Sequence, residues 1–446
     1  MRVLIVSFAF PPSNVIGAVR VGKFARYLYG RGHDLRVLTT DIIKDRSLPL
    51  EIPRDRIVHT EYPERDNWLE VLVARLRRSG TSIGDGSEAS QVGDGVPRNS
   101  VWHILRQHYH ALTHIPDQQV DWIKTALPPG RRLLLEWKPD IIFASAPPFT
   151  ALIVAGRLSR AFKIPWVADF RDLWTDNHYY GFPAWRRPID AVLERLTLRN
   201  AARVVTVSPI WAEQLSRYHG KPAEVVYNGY SEEDMPEPPV EVAQGRVLTI
   251  RYTGSIYRGH QDPSPLFAAI AMLENGLRRQ VRVEFFGEAE VDLKLLAARH
   301  GVVDRITVCP TIPYSRALEL QMQADVLLLL HSVERDARQA GMIPAKLFEY
   351  LYARHPILFI GYERGIAAQL VRERGAGLVS NAPAQISDQL HAWITDKKEG
   401  RFKRLGPSVC RGFSRDEQYR KVEQLFGDIL RERSRTIGNP ATAGAP

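Results

Sequence analysis

The run Ala324-Asp325-Val326-Leu327-Leu328-Leu329-Leu330, followed after a loop by Gly341-Met342-Ile343-Pro344-Ala345-Lys346-Leu347-Phe348-Glu349-Tyr350-Leu351, decides the fold. The first segment reads as a buried strand. The second reads as a helix whose first helical position is Pro344, where a proline fixes φ and removes no needed hydrogen bond. Lys346 and Glu349, three residues apart, share a face and lie ~4.5 Å apart along the axis at the usual helical rise. Free N–H groups and the positive end of the helix dipole favour an anion at this tip. A diphosphate held by Lys346 would leave a ribose beside Glu349. The alternative is an amphipathic core helix, with Leu347, Phe348 and Leu351 inward and both charges solvated. The motif alone leaves the two readings open.

The chain has 446 residues, which points to two domains with additions. Its 44% apolar and 25% charged residues are those of a globular protein. No run approaches the ~18 apolar residues of a spanning helix. Met1 to Phe8 reads as the first core strand and not as a signal peptide. Cys309 and Cys410 suggest no disulfide framework, and a cytoplasmic location fits. The net charge of +10 concerns partners: nucleic acid, an anionic membrane surface or a phosphorylated substrate. No nucleic-acid-binding signature is present, so no nucleic-acid partner is expected.

The opening is βαβ: a strand over 1–10, a loop to Gly17, a helix over 19–30 and a strand over 35–39. The rhythm continues through strands at 140–145, 166–170, 204–208 and 225–227, with helices at 149–160, 189–201 and 211–218. Residues 79–97 are rich in Gly, Ser, Asp and Gln and read as a flexible insertion. Residues 69–78 and 101–122, with Trp102, Tyr109 and Trp122 among basic residues, read either as a membrane- or acceptor-facing flap or as helices capping the sheet edge. A proline-rich linker over 231–245 ends the first domain, 1–230. A second βα series follows over 246–410, then a helix over 411–433 packing back on the first domain and a disordered tail over 434–446. The fold class is therefore α/β: two Rossmann-like, doubly wound parallel-sheet domains facing a cleft.

Several segments carry a resemblance. Phe10 to Arg20, closed by Arg31-Gly32-His33 and Val37-Leu38-Thr39, resembles the start of family-four retaining glycosyltransferases. Trp166-Val167-Ala168-Asp169-Phe170-Arg171-Asp172-Leu173-Trp174 is similar to a segment of their bacterial surface-polysaccharide branch. So are Tyr227-Asn228-Gly229-Tyr230, Tyr252-Thr253-Gly254-Ser255-Ile256-Tyr257 and Gly341 to Tyr350. The resemblance implies a GT-B fold and metal-independent transfer with retention, of hexosyltransferase type. It implies no cofactor, and a nucleotide-diphosphate sugar as co-substrate. The acceptor would be a glycan or polyprenyl-linked. The enzyme would be cytoplasmic or peripheral on the inner face of the plasma membrane. No Asp-x-Asp stands at a strand end to hold a metal-diphosphate. Positive groups and helix N-termini must then stabilise the leaving diphosphate.

By the resemblance, Arg258 and Lys346 clamp the diphosphate and Glu349 takes the ribose. Gly17, Gly254, Ser255, His260, Gly287, Pro344 and Ala345 line the donor. Asp169, Arg171 and Asp172 end a strand, where Asp172 or Asp169 orients the acceptor hydroxyl and Arg171 meets a phosphate, or the three form an ion-pair network. Three departures stand out, one of them Arg171, which stands where many members have a histidine in the first domain. Family members commonly bear a glutamate eight positions before the second motif glutamate, and here that position is Gly341. Ser255 stands where an arginine is usual, and Arg258 is its substitute. Two rivals remain: a nucleotide-sugar 2-epimerase of the same fold, and a non-catalytic glycan-assembly partner. A dehydrogenase is disfavoured, because neither first loop reads G-x-G-x-x-G.

Overall fold

The computed structural model describes residues 1–41, 46–62, 101–177, 180–236, 245–332 and 339–438. The expected insertion (79–97) and the segment 69–78, most of the linker and the end of the tail lie outside them. The chain divides into two compact units: Met1–Ala25, Gly32–Ala168 and Tyr179–Ala201 form one, and Arg26–Arg31, Asp169–His178 and Ala202–Pro446 the other.

A seven-stranded sheet comprises β1 (Arg2–Val6), β2 (Asp34–Thr40), β3 (Ile57–Thr60), β4 (Ile141–Ala146), β5 (Trp166–Phe170), β6 (Arg203–Thr206) and β7 (Ala223–Val225). Its order is β3-β2-β1-β4-β5-β6-β7. Six further strands are β8 (Leu248–Thr253), β9 (Val281–Phe286), β10 (Ile306–Cys309), β11 (Val326–Leu330), β12 (Ile357–Ile360) and β13 (Gly377–Val379). They form a second sheet in the order β10-β9-β8-β11-β12-β13. Pairing is parallel in both. The first order reverses between β1 and β4 and the second between β8 and β11, the topology expected of doubly wound sheets.

The connecting helices are α1 (Ile16–Gly30), α2 (Val101–Thr113), α3 (Trp122–Trp137), α4 (Thr150–Phe162), α5 (Arg187–Leu198) and α6 (Pro209–His219). In the second half they are α7 (Ser264–Met272), α8 (Asn275–Arg278), α9 (Leu293–Arg299), α10 (Tyr314–Met322), α11 (Lys346–Ala353), α12 (Ile366–Glu373), α13 (Pro383–Lys398) and α14 (Arg415–Gly438). Several starts have visible causes. Ser208 accepts a hydrogen bond from Trp211 N at the head of α6, and Asp292 accepts one from Leu295 N at the head of α9. Gly220, with φ +63°, ends α6 in the left-handed region that glycine tolerates.

β11 shows why its sequence is a continuous apolar run. Val326, Leu328 and Leu330 pack into one core with α7 and α13, while Leu327 and Leu329 pack into another with α11 and α12. Both faces of a parallel sheet are covered, so successive side chains must all be apolar. The chain alternates sides, and no residue of the strand reaches water.

Three features differ from the sequence reading. Trp122, assigned to the flap segment, is fully buried at the start of α3, with Nε1 donating to Thr60 Oγ1 at 2.7 Å and its ring edge-on to Phe8. That end of the segment belongs to the core. α11 begins at Lys346, two residues after Pro344, whose carbonyl accepts from Leu347 N. α14 continues to Gly438 and is tied to the end of α1 by Tyr27 Oη, which donates to Glu423 Oε2 at 2.8 Å. No described helix is long and apolar enough to cross a membrane.

Leu328 is inaccessible to solvent in the middle of β11. Leu328→Ala should therefore cost about 2–5 kcal/mol, read as a lowered urea midpoint.

Candidate functional site

The reversal between β8 and β11 leaves room at the carboxyl ends of these strands. α11, which follows β11, starts there. Its first residue, Lys346, turns its Nζ to the carbonyl of Thr253, the last residue of β8, at 2.7 Å. The same ammonium lies 4.1 Å from the centre of the Tyr252 ring. One of its three N–H donors is thus engaged and two remain for an anion. Burial brings the Lys346 pKa down from 10.5 to about 8, with Glu349 opposing the shift. The fold works against this charge.

Two glycines make this approach possible. Gly254 has φ +130°, and a Cβ there would stand 2.4 Å from Lys346 Nζ. Gly287, at the end of β9 with φ +134°, faces it so closely that a Cβ would meet Gly254 O at 2.6 Å. Gly254 N donates to Phe286 O at 2.8 Å and Ile256 N to Glu288 O at 2.9 Å, so the loops after β8 and β9 run side by side. Ser255 offers its carbonyl to Tyr252 Oη at 2.8 Å.

Glu349 is buried one turn into α11. Its Oε1 accepts from Tyr314 Oη at 2.8 Å and its Oε2 from Gln321 Nε2 at 3.2 Å. Gln321 also donates to Thr253 Oγ1 at 3.0 Å, tying α10, α11 and β8 together. Each carboxylate oxygen keeps a lone pair for a hydroxyl. Burial works against the nearby Arg415 cation, yet Tyr419, Tyr314, Glu349 and Asp234 together raise its pKa. Tyr314, Gln321 and Arg415 went unnoticed in sequence. They sit far from the motif along the chain, and only the fold makes them neighbours.

Arg258 is exposed, and its guanidinium forks onto the carbonyl of Glu290, at 3.1 Å from Nε and 2.9 Å from Nη2. Its backbone N–H also meets the Glu290 carboxylate at 2.9 Å. His260, partly buried in the same loop, donates its backbone N–H to Tyr257 O at 3.2 Å. Pro344 and Ala345 form the approach to α11, where Phe348 N meets Ala345 O.

Gly341 is filled from outside. A Cβ on it would meet the Trp211 indole at 2.2 Å from Cδ1 and 2.3 Å from Nε1. Trp211, from α6, is 2% exposed. The missing glutamate is therefore matched by a ring that leaves no room for any side chain. Nothing in the sequence near either residue signals this pairing.

Asp169 is wholly buried in β5. Arg171 and Asp172 follow the strand, both partly buried. Burial raises the Asp172 pKa, and the Arg171 cation opposes it. Gly17 is the second residue of α1 and partly buried. The close constellation is thus Lys346, Gly254, Gly287 and Glu349, with Tyr252, Thr253, Tyr314 and Gln321 as its supports.

Residues 17–230 match the model of a glycosyl transferase 4-like domain. The chain is similar in structure to sucrose-phosphate synthase from Thermosynechococcus elongatus, with 13% identity, TM-score 0.62, 97% of this chain and 100% of that one covered. It is similar to Anabaena HepE, crystallised with UDP-glucose, at 13% identity and TM-score 0.56, over 97% of this chain and 100% of that one. A third likeness is the lipopolysaccharide outer core galactosyltransferase WaaB, at 13% identity and TM-score 0.55, over 96% of this chain and 100% of that one. No curated protein matches in sequence. The likenesses bear out the expected GT-B architecture.

The glycine–tryptophan contact has a measurable signature. Gly341→Ala should destabilise the protein by about 1–3 kcal/mol through overpacking. The same change in a Trp211→Ala background should cost much less, a coupling read from a double-mutant cycle of urea midpoints.

Proposed function

We propose that this GT-B-fold protein, whose residues 17–230 match a glycosyl transferase 4-like domain, is a glycosyltransferase that moves a sugar from a nucleotide-diphosphate donor to a glycan or polyprenyl-linked acceptor, with retention at the anomeric carbon. Surface-polysaccharide assembly on the cytoplasmic side of the membrane is its setting. The observation that carries the donor reading is Lys346: a partly buried ammonium at a sheet switch point, its pKa lowered by burial, held on Thr253 O with donors to spare. The UDP-glucose in the related HepE structure favours the same ligand class.

In this reading the diphosphate sits at the head of α11 against Lys346 and the close glycine loops, where a side chain on Gly254 or Gly287 would block it. Glu349 takes ribose hydroxyls on its remaining lone pairs. Arg258 leaves the Glu290 carbonyl to join the diphosphate. The bond from the anomeric carbon to the diphosphate oxygen breaks, and the acceptor oxygen bonds the same face of that carbon. The acceptor proton passes to the leaving diphosphate. Lys346 stabilises the charge that develops there, the kind of preorganised electrostatic help that lowers such barriers most. Asp172, with a raised pKa, orients the acceptor hydroxyl, supported by Asp169 and Arg171. No metal is required, since these positive groups take its place.

Addition of uridine diphosphate or UDP-glucose at a hundredfold excess over Kd should stabilise the protein by about 2.7 kcal/mol in a thermal-shift assay. Lys346→Ala and Glu349→Ala should each abolish that gain and the transfer activity. Unchanged activity in both would remove the reading. Release of an epimerised sugar without any acceptor would favour the 2-epimerase instead.

The pH dependence follows from the direction of the lysine shift. The native protein releases the Lys346 proton near pH 8, the unfolded chain only near 10.5. Across that window the unfolded chain binds more protons, so this group's contribution to stability rises with pH. Anion binding runs the other way, because it needs the ammonium. Titration with uridine diphosphate should show affinity falling as pH rises above about 8.

A further inference from the structure

Away from the Lys346 site, α3 and α4 enclose an open groove of about 490 Å³, lined by Ile123, Lys124, Leu127, Pro128 and Arg131 from α3 and by Arg157 from α4. The α3 residues recur at helical spacing and so share one face. Lys124 is paired with Asp121 at 3.1 Å, while among the described residues no carboxylate pairs with Arg131 or Arg157. The floor is aliphatic and the rim cationic. Such a lining suits an anion that carries hydrocarbon, and it suits neither a bare ion nor a neutral sugar.

The surroundings extend this chemistry. One turn beyond Arg157, Arg160 reaches the carbonyl of Leu196 on α5 at 3.5 Å. α5 leaves Ile189, Val192 and Leu196 between 44% and 55% exposed, at intervals of three and four residues. Its two acidic residues, Asp190 and Glu194, are buried, so they do not offset the basic charge on this face. An aliphatic ridge beside unpaired arginines is costly against water alone. At a bilayer interface the ridge enters the acyl boundary and the arginines meet phosphates. Nucleic acid would use the cations and leave the ridge exposed.

We infer that the face formed by α3, α4 and α5 docks on an anionic phospholipid bilayer, with a lipid phosphate seated in the groove between Lys124, Arg131 and Arg157. The docking face differs from the aromatic segment that the sequence suggested, whose Trp122 is in the core. It does not depend on the donor assignment, and its test reads no sugar transfer.

The test is co-sedimentation of the full chain with phosphatidylcholine vesicles, with and without phosphatidylglycerol. The wild type should pellet with the anionic vesicles and stay in solution with the neutral ones. Arg131→Glu with Arg157→Glu should lower the partition coefficient on anionic vesicles by at least about tenfold, as expected when two surface cations are reversed. Val192→Ser with Leu196→Ser should weaken the part of the binding that survives raised salt. Thermal melting checks that both pairs stay folded, as exposed substitutions should. Lys403→Glu with Arg411→Glu, an equal charge reversal in the second unit, should have little effect. Equal losses from the two charge reversals, or no loss from the first, overturn the proposal. So does displacement of the protein from vesicles by soluble glycerol phosphate at equal phosphate concentration, which would mark a site for a small phosphate.

Discussion

Parallel pairing of β8 with β11 constrains what surrounds Lys346. Strands that run the same way must be joined by long crossovers, and the crossover after β11 delivers the head of α11 to the carboxyl end of β8. From there Nζ finds the Thr253 carbonyl. The loops after β8 and β9 then have to pass beneath it with almost no clearance, which explains why both carry glycine at positive φ. Glu349, one turn on, is held by residues of α10, which lies against the same strand.

Much of this order is visible in the amino-acid pattern. The β5 bounds, 166–170, coincide with those expected, and most other strands agree within a few residues, because a doubly covered sheet demands unbroken apolar runs. The edges are less legible. β3 has only four residues, Ile57–Thr60, and β13 only three, too few for a period to emerge. α3 contains Pro128 and Pro129 in its interior, residues that read as a break.

The site divides in the same way. Lys346 and Glu349 are legible because their chemistry and spacing lie within one helix. Their supports come from α10 and β8, and the ring over Gly341 comes from α6. Such contacts depend on packing between segments remote in the chain. Gly341 shows the difference best. Read as letters it is the loss of a carboxylate; in three dimensions it is the half of a contact that admits the Trp211 ring. Arg258 makes a related point: a charge suited to a diphosphate rests on a neighbouring carbonyl.

The depressed pKa of Lys346 has a calorimetric consequence. An anion that settles on this group restores the ammonium, so association near pH 8 draws protons from the medium. The heat released then includes the ionisation enthalpy of whichever buffer supplies them. Titrations in phosphate and in Tris would differ in apparent enthalpy at equal affinity, and the slope against buffer enthalpy would count the protons taken up.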